Sequence, residues 1–421
     1  MTGTDARTAA ALSPEAWTLA TEGVRLVLEG HPPEAFATAE LVVVSPGVPT
    51  DHPALTQSRA RGVPILGEIE LAYRTMTAEF VAITGTNGKT TTTALTGALV
   101  AESGRPVLVG GNIGRPLTAE ALDFPADGWV VAEVSSFQLE TTHAFRPHVA
   151  AVLNVTPDHL DRHGSLAAYT EAKARIFRAQ GAGDWAVLNA DDPGAAALAS
   201  RVRARLLWFS GREPVTEGAW VRDGWVTLRL GGRDQAVGPV DEIFLRGAHN
   251  LENVLAATAC AGALGVAPER LRAGIRAFRA VPHRIEWIRD RGGVAFYNDS
   301  KGTNVDATLK ALAAFVEPIV LIAGGRDKGQ HFDALADAAR GRVKAAVLIG
   351  EGRATLGPAL RAVTRVEEAG SMAEAVRRAA ALAAPGDVVL LSPACASFDM
   401  FRDYEQRGTV FAEEVRALPE A

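Results

Sequence analysis

Short apolar runs alternate with helically periodic stretches along almost the whole chain, the pattern of α/β architecture built on parallel sheets. "ELVVVSPGV" (40–48) and "VPILG" (63–67) read as strand ends closed by Pro/Gly turns, and "EIELAYRTM" (68–76) as a helix leading into a strand at 80–84. Further strands are expected in "PVLVGGN" (106–112), "WVVAEVSS" (129–136), "VAAVLNV" (149–155) and "WAVLNADD" (185–192). The texture changes at "AWVRDGWVTLRL" (219–230), two alternating runs around Asp223-Gly224 that signal a hairpin. "HNLENVLAATACAGAL" (249–264) is an amphipathic helix, and a break at Val281-Pro282 opens a third region. There the strands are "VAFYNDS" (294–300), "PIVLIAGG" (318–325), "VKAAVLIG" (343–350) and "DVVLLSPA" (387–394), each followed by an Ala-rich helix. The reading is three α/β domains, at 1–70, 71–281 and 282–421.

Bulk properties narrow the function class. A length of 421 residues exceeds one ordinary domain, and 48% hydrophobic with 22% charged residues suits well-cored domains. The formal net charge of −6 argues against broad binding to nucleic acid or an anionic membrane, so an anionic ligand must be held by local lysines, arginines and backbone amides. Two cysteines far apart, Cys260 and Cys395, exclude a disulfide framework and a Cys-rich metal site. Cys395 has no His or Asp pattern near it and reads as a small buried residue. The N-terminus lacks the features of a signal peptide, and no uncharged apolar run approaches the ~20 residues of a membrane span. A cytoplasmic protein is expected, working as a monomer.

Five stretches carry candidate chemistry. "VAITGTNGKTTTTAL" (81–95) runs from a strand through a Gly/Asn turn into a helix. Gly85 and Gly88 permit close backbone approach to phosphate, the helix N-terminus offers free N–H groups, Lys89 supplies a charge and Thr90 a hydroxyl for Mg²⁺. Ile83 stands where a strict P-loop has its first glycine. In "VVAEVSSFQLE" (130–140), Glu133 ends an apolar run and is either a Mg²⁺ ligand or a cap for the next helix, with Ser135 and Gln138 as neutral hydrogen-bonding groups. "LNVTPDHLDRHG" (153–164) delivers Asp158, His159 and Asp161 at another strand end, His159 being either a second cation ligand or an ordinary loop histidine. Three successive strand ends with such ligands suggest the crevice of an open α/β sheet.

Lys173, in "YTEAKARIF" (169–177), reads by itself as a surface lysine. In the last region Arg284 of "HRIEW" suits a purine face or a phosphate, and Asp299 a ribose. Lys301 and Thr303 occupy a Gly-containing turn before a helix. The turns "GGRDKGQHF" (324–332), with Lys328, and "LSPACASFDMF" (391–401), with Ser397, complete a set fit for a carboxylate-bearing substrate.

Taken together, "TGTNGKTTT", "GNIG", "EVSSFQLE", "NVTPDHLDRHG", "EAKARIF", "NADD", "HNLENVLAA", "PHRIE", "NDSKGTN" and "LSPACASFDMFRDYEQRG" resemble the Mur ligases, in order and over nearly the whole chain. The resemblance implies a Rossmann-like N-terminal domain, a central P-loop-type ATPase domain with a mostly parallel sheet plus a small β portion, and a C-terminal Rossmann-like α/β domain. It implies ATP-driven amide synthesis through an acyl phosphate, and the last block points to D-glutamate joined to UDP-N-acetylmuramoyl-L-alanine. ATP would be held by Gly85, Thr86, Asn87, Gly88, Lys89, Thr90 and Thr91 with Asn250, Arg284 and Asp299. One Mg²⁺ would bind Thr90 and Glu133, and a second His159 and a carbamylated Lys173. Asn112, Ser135 and Gln138 would hold the UDP-sugar, and Lys301, Thr303, Lys328, Ser397 and Phe398 the D-glutamate. Lys89, Glu133, His159, Lys173 and Lys328 would carry the catalysis.

One departure is visible. "TDART" (4–8) falls where a later UDP-contacting stretch belongs, so an incomplete N-terminal domain is expected, with Asp5 and Arg7 as remnants of that site and either a misassigned start or weakened UDP binding as the reason. Two rivals stand beside this reading: another amide ligase, such as a folylpolyglutamate synthase, and a non-catalytic nucleotide-binding switch. The "SPACASF" block speaks against the first. Slow ATP hydrolysis indifferent to amino acid would mark the second.

Overall fold

The computed structural model describes residues 1–12, 14–114, 116–279, 281–327 and 329–420; Lys328, expected above at the amino-acid subsite, lies outside the described residues. The chain divides into two compact units, Met1–Val221 with Thr227–Ala236 and Leu255–Leu271, and Arg222–Val226 with Val237–Val254 and Arg272–Ala421.

The first unit opens with two short parallel pairs, β1 (Thr2–Thr4) with β2 (Arg25–Val27) and β3 (Val42–Val44) with β4 (Ile65–Gly67). Val42, Val44, Leu55 and Ile65 form a small core against the second pair. The helix Glu68–Thr75 follows and buries Ile69, Glu70 and Ala72. Glu70 is fully buried yet satisfied: its carboxylate accepts the backbone N–H groups of His143, Ala144 and Phe145 and the Arg74 guanidinium. That ties the helix to the loop beyond 140 and lowers the carboxyl pKa against the burial that raises it.

Next come β5 (Glu79–Thr84), β6 (Val107–Gly111), β7 (Trp129–Glu133), β8 (Val149–Val152), β9 (Trp185–Asn189), β10 (Arg205–Ser210) and β11 (Gly218–Arg222). They lie in the order β11-β10-β9-β8-β5-β7-β6, with every pair parallel. Strands covered on both faces read as continuous apolar runs, which is why β5, β7, β8 and β9 were visible in the sequence. The chain leaves β5 toward one edge and later returns to its other side at β8, so the carboxyl end of β5 is a topological switch point, the usual seat of a ligand crevice. Asp223 (φ 49°) and Gly224 (φ 76°) make the expected left-handed turn between β11 and β12 (Trp225–Leu230), and β13 (Arg233–Pro239) follows.

The second unit holds β14 (Glu286–Arg291), β15 (Val294–Asn298), β16 (Ile319–Gly324), β17 (Val343–Ile349), β18 (Arg365–Glu368) and β19 (Val388–Leu391), ordered β14-β15-β19-β16-β17-β18. Period-two alternation splits β16 between two cores. Ile319, Leu321 and Ala323 join one, and Val320 and Ile322 the other. The sheet is parallel except for β14, which pairs antiparallel with β15 through the left-handed turn Gly292 (φ 57°) and Gly293 (φ 76°). The sequence reading did not foresee this edge strand, because "EWIRDR" carries four charges and little apolar pattern. The turns after β15, β16 and β19 leave neighbouring strand ends.

Candidate active site

In the first unit β5 runs into the loop 85–88 and then into the helix Lys89–Ala101, whose N-cap is Gly88 in the left-handed conformation (φ 83°). A Cβ on Gly85 would stand 3.0 Å from the Leu153 Cβ, so the loop packs directly on the chain leaving β8. Asn154 fastens it there. Its Oδ1 accepts the Asn87 N–H at 2.8 Å, its Nδ2 donates to the Asn87 carbonyl at 3.2 Å, and its own carbonyl accepts the Thr86 N–H at 3.0 Å. The Lys89 ammonium folds back over the loop and donates to the carbonyls of Gly85 and Thr86, both at 2.8 Å. Thr90 and Thr91 are buried in the first helical turn. The result is a rigid concave backbone with a helix N-terminus and an ammonium aimed at one place, which suits a phosphate chain.

Register sets Glu133 beside this cradle, because the last residue of β7 pairs with Ile83 of β5 and with Gly111 of β6. Glu133 is buried. Its Oε1 accepts the Asn112 Nδ2 at 2.9 Å, while its Oε2 is buried with no hydrogen-bond partner among the described residues. A buried carboxylate oxygen left without a donor is costly unless a ligand satisfies it, and a hard cation is the ligand such an oxygen prefers. Asn112 is aligned by its own N–H to the Glu133 carbonyl at 2.8 Å. Gly111 must be glycine here, since at φ 100° a Cβ would lie 2.3 Å from that carbonyl oxygen. Gly111→Ala is therefore expected to lose about 3 kcal/mol of stability in urea titration.

Ser135 and Gln138 bond to each other. They form a capping box on the helix Ser136–Glu140, with Gln138 N–H to Ser135 Oγ at 3.2 Å and Ser135 N–H to Gln138 Oε1 at 2.9 Å.

Lys173 is no surface residue: it is 1% exposed, its Nζ donates to the Gly85 carbonyl at 2.8 Å and lies 4.4 Å from the Tyr169 ring centroid. Burial first, and the Lys89 ammonium second, push its pKa down to about 6 against the pull of Asp158. His159 is exposed at φ 51° on the N-cap of the turn Leu160–His163, with its Nε2 3.6 Å from Asp158 and its ring against Phe137. Among the described residues no group of three His, Cys, Asp or Glu side chains forms a ready-made metal cage. A second cation near His159 therefore needs an additional anionic donor.

Asp5 and Arg7 pair with one another on the surface at 2.8 Å, in the loop after β1, and Asp5 is held down to about 2 by that guanidinium. In the second unit the buried Asp299 directly follows β15: its Oδ2 accepts the Ser392 Oγ at 2.8 Å and its Oδ1 the Ile285 N–H at 3.3 Å. Burial pushes it up to about 7, opposed by Ser392 and by the Arg284 charge. Arg284 sits between His283 (φ 65°) and Ile285 (φ 45°), two strained non-glycine residues that fix where it leaves the chain. The Lys301 ammonium lies 5.1 Å from the Tyr404 ring centroid, the Thr303 N–H binds the Lys301 carbonyl, Ser397 is buried, and Phe398 is 62% exposed. Asn250 is buried near the start of the helix Ala248–Ala263, its Oδ1 accepting from Asn253 and its Nδ2 donating to the Arg246 carbonyl.

Sequence reasoning missed Asn154, Tyr169, Tyr404 and Arg407. Tyr169 is buried with its hydroxyl 3.3 Å from Thr86 Oγ1. Arg407 is fully buried and supports the turns, donating to Ser300 Oγ at 2.9 Å and to the Cys395 and Ser300 carbonyls. Burial lowers its pKa to about 10. Asn154 and Arg407 act on backbone groups, which leave no trace in side-chain spacing.

Family models match in three segments: the Mur ligase MurD-like N-terminal domain at 4–67, the Mur ligase middle domain at 83–261 and the Mur ligase, glutamate ligase domain at 283–395. The chain is 48% identical to the UDP-N-acetylmuramoylalanine--D-glutamate ligase of Acidobacterium capsulatum, over 99% of this chain and 91% of that one. It is 49% identical to the ligase of the same name from Pelotomaculum thermopropionicum, over 95% and 88%. Among solved structures it is similar to the UDP-N-acetylmuramate-alanine ligase MurC of Thermotoga maritima, with a TM-score of 0.61 at 20% identity, covering 99% of this chain and 93% of that chain. The MurF ligase of Thermotoga maritima in complex with ADP gives 0.62 at 16% identity, covering 99% and 95%. At those identities the structural likeness is one of fold.

Proposed function

The chain belongs to the Mur ligase family, and from that premise we propose that it joins D-glutamate to UDP-N-acetylmuramoyl-L-alanine by ATP-dependent amide synthesis, a step of peptidoglycan precursor assembly, in the cytoplasm and as a monomer. We take 1–70 as the UDP-binding domain, 71–281 as the ATP-binding domain and 282–421 as the amino-acid-binding domain. The observation that carries the reading is the unpartnered, buried Glu133 Oε2 beside a phosphate cradle already fitted with Lys89.

In this reading the loop 85–88 and the N–H groups of the first helical turn hold the ATP phosphates, with Lys89 on the outer ones. Asn250, Arg284 and Asp299 would also contact ATP. Thr90 and Glu133 would hold one Mg²⁺, His159 and a carbamylated Lys173 a second. When bound, these ions neutralise phosphate charge so that two anions can approach. The muramoyl-L-alanine carboxylate attacks the γ-phosphorus and ADP departs, leaving an acyl phosphate. Asn112, Ser135 and Gln138 hold the UDP-sugar, the last two from the turn that their capping box fixes. The D-glutamate amine then attacks the acyl carbon, phosphate leaves, and the amine proton passes to solvent. Lys301, Thr303, Lys328, Ser397 and Phe398 surround the D-glutamate, the lysines matching its carboxylates.

The test is ADP release with the UDP-sugar present, comparing D-glutamate with L-glutamate and L-lysine. Selective stimulation by D-glutamate is expected. Release indifferent to the amino acid would mark a nucleotide switch instead.

A further inference from the structure

The turns that follow β15, β16 and β19 leave adjacent strands, and their backbones are joined. The Ala394 N–H donates to the Gly302 carbonyl at 2.9 Å, and Arg326 and Ala396 exchange backbone hydrogen bonds at 2.9 and 3.1 Å. One side chain reaches across all three. Gln330, in the turn after β16, accepts the Val305 N–H on Oε1 at 3.1 Å and donates from Nε2 to the Ala394 carbonyl at 3.0 Å. Val305 is the first residue of the helix Val305–Ala313, so Gln330 satisfies one of the orphan donors of its N-terminus, just beyond Thr303. Ala394 is a non-glycine residue at φ 56°, a backbone state that persists only where its surroundings hold it. Gln330 is itself placed by Asp327, whose Oδ1 accepts the Gly329 and Gln330 N–H groups at 3.0 and 3.1 Å.

Both ends of the Gln330 amide are thus bonded to backbone. We infer that Gln330 is a positioning residue for the amino-acid subsite, a clamp that sets the spacing of the turns bearing Lys301, Thr303 and Ser397. This rests on the reading that those turns hold D-glutamate. A short dicarboxylate needs its cationic and hydroxyl partners at fixed separation, so slack between turns costs affinity for the amino acid while leaving ATP and UDP-sugar binding alone.

The experiment measures the three KM values, kcat and the thermal midpoint of the full chain carrying Gln330→Met, which removes both bonds, and Gln330→Glu. The glutamate keeps an acceptor for Val305 but sets a carboxylate against the Ala394 carbonyl. Expected is a rise of roughly tenfold in KM for D-glutamate, the worth of one to two net hydrogen bonds, with the other two KM values and kcat within about threefold. A KM for D-glutamate unchanged within about twofold, or all three rising in step with a fall in midpoint, overturns the clamp, since a merely structural residue gives the second pattern. Lys301→Met and Thr303→Ala run in parallel. If they too leave the D-glutamate KM untouched, the placement of D-glutamate has failed. If they raise it while the Gln330 variants do not, only the clamp has failed.

Discussion

Lys89→Met is expected to lower D-glutamate-dependent kcat by about 10³-fold, with a smaller rise in KM for ATP. Methionine keeps the length of the side chain and removes the ammonium. In the folded protein that ammonium is fixed by the carbonyls of Gly85 and Thr86, so its orientation is settled before substrate arrives. A preorganised charge acts on the transition state, where the phosphoryl group is passing between two oxygens, more than on bound ATP. Lys89→Arg is not a rescue, because a planar fork does not fit where a point charge sits between two carbonyls. Single-turnover ADP release with a parallel thermal melt is the measurement. A loss below about tenfold in a normally folded variant would remove Lys89 from the phosphoryl-transfer step.

The Lys89 variant has a second consequence. The Lys89 charge is the next cause, after burial, of the low pKa of Lys173. Removing it should raise the Lys173 pKa, so part of the Lys89→Met defect at neutral pH reports on Lys173 and should shrink at higher pH. The two residues meet at one acceptor, the Gly85 carbonyl, and their effects should be non-additive.

Much of this is legible in the sequence, for physical reasons that differ by residue. Parallel strands buried on both faces announce themselves as apolar runs, and in such sheets ligand groups gather at the carboxyl ends, which made Gly85, Lys89 and Glu133 readable together. The pair β1 and β2 was not readable, because Thr-Gly-Thr and Arg-Leu-Val are too short and too polar to show a period. Ser135 and Gln138 had the S-x-x-Q spacing of a capping box in plain view, and the structure commits them to that cap. Lys173 is the reverse case. Its helix, Leu166–Ala174, gives no hint that the lysine faces inward, because burial of a charge depends on the loop 85–88 lying against it from far away in sequence.

The largest effect beside Lys89 is expected at that buried lysine. An amine with a pKa down to about 6 is mostly uncharged at pH 7.5, and an uncharged amine is the form that attacks carbon dioxide. The nitrogen lone pair forms a bond to the carbon, one N–H proton is released to solvent, and the uncharged side chain becomes a −1 carbamate. In the proposed reading that carbamate is the additional anionic donor for a cation near His159. The proposed carbamate predicts that Lys173→Ala loses about 10³-fold in kcat, that carbon-dioxide-depleted buffer lowers wild-type activity reversibly, and that activity falls as pH drops through about 6 and the amine protonates. Carbon-13 NMR after incubation with labelled bicarbonate should show a carbamate carbon in the wild type and none in Lys173→Ala. Full activity without carbon dioxide, or the same signal in both proteins, would leave Lys173 a buried neutral hydrogen-bond donor to the cradle and nothing more.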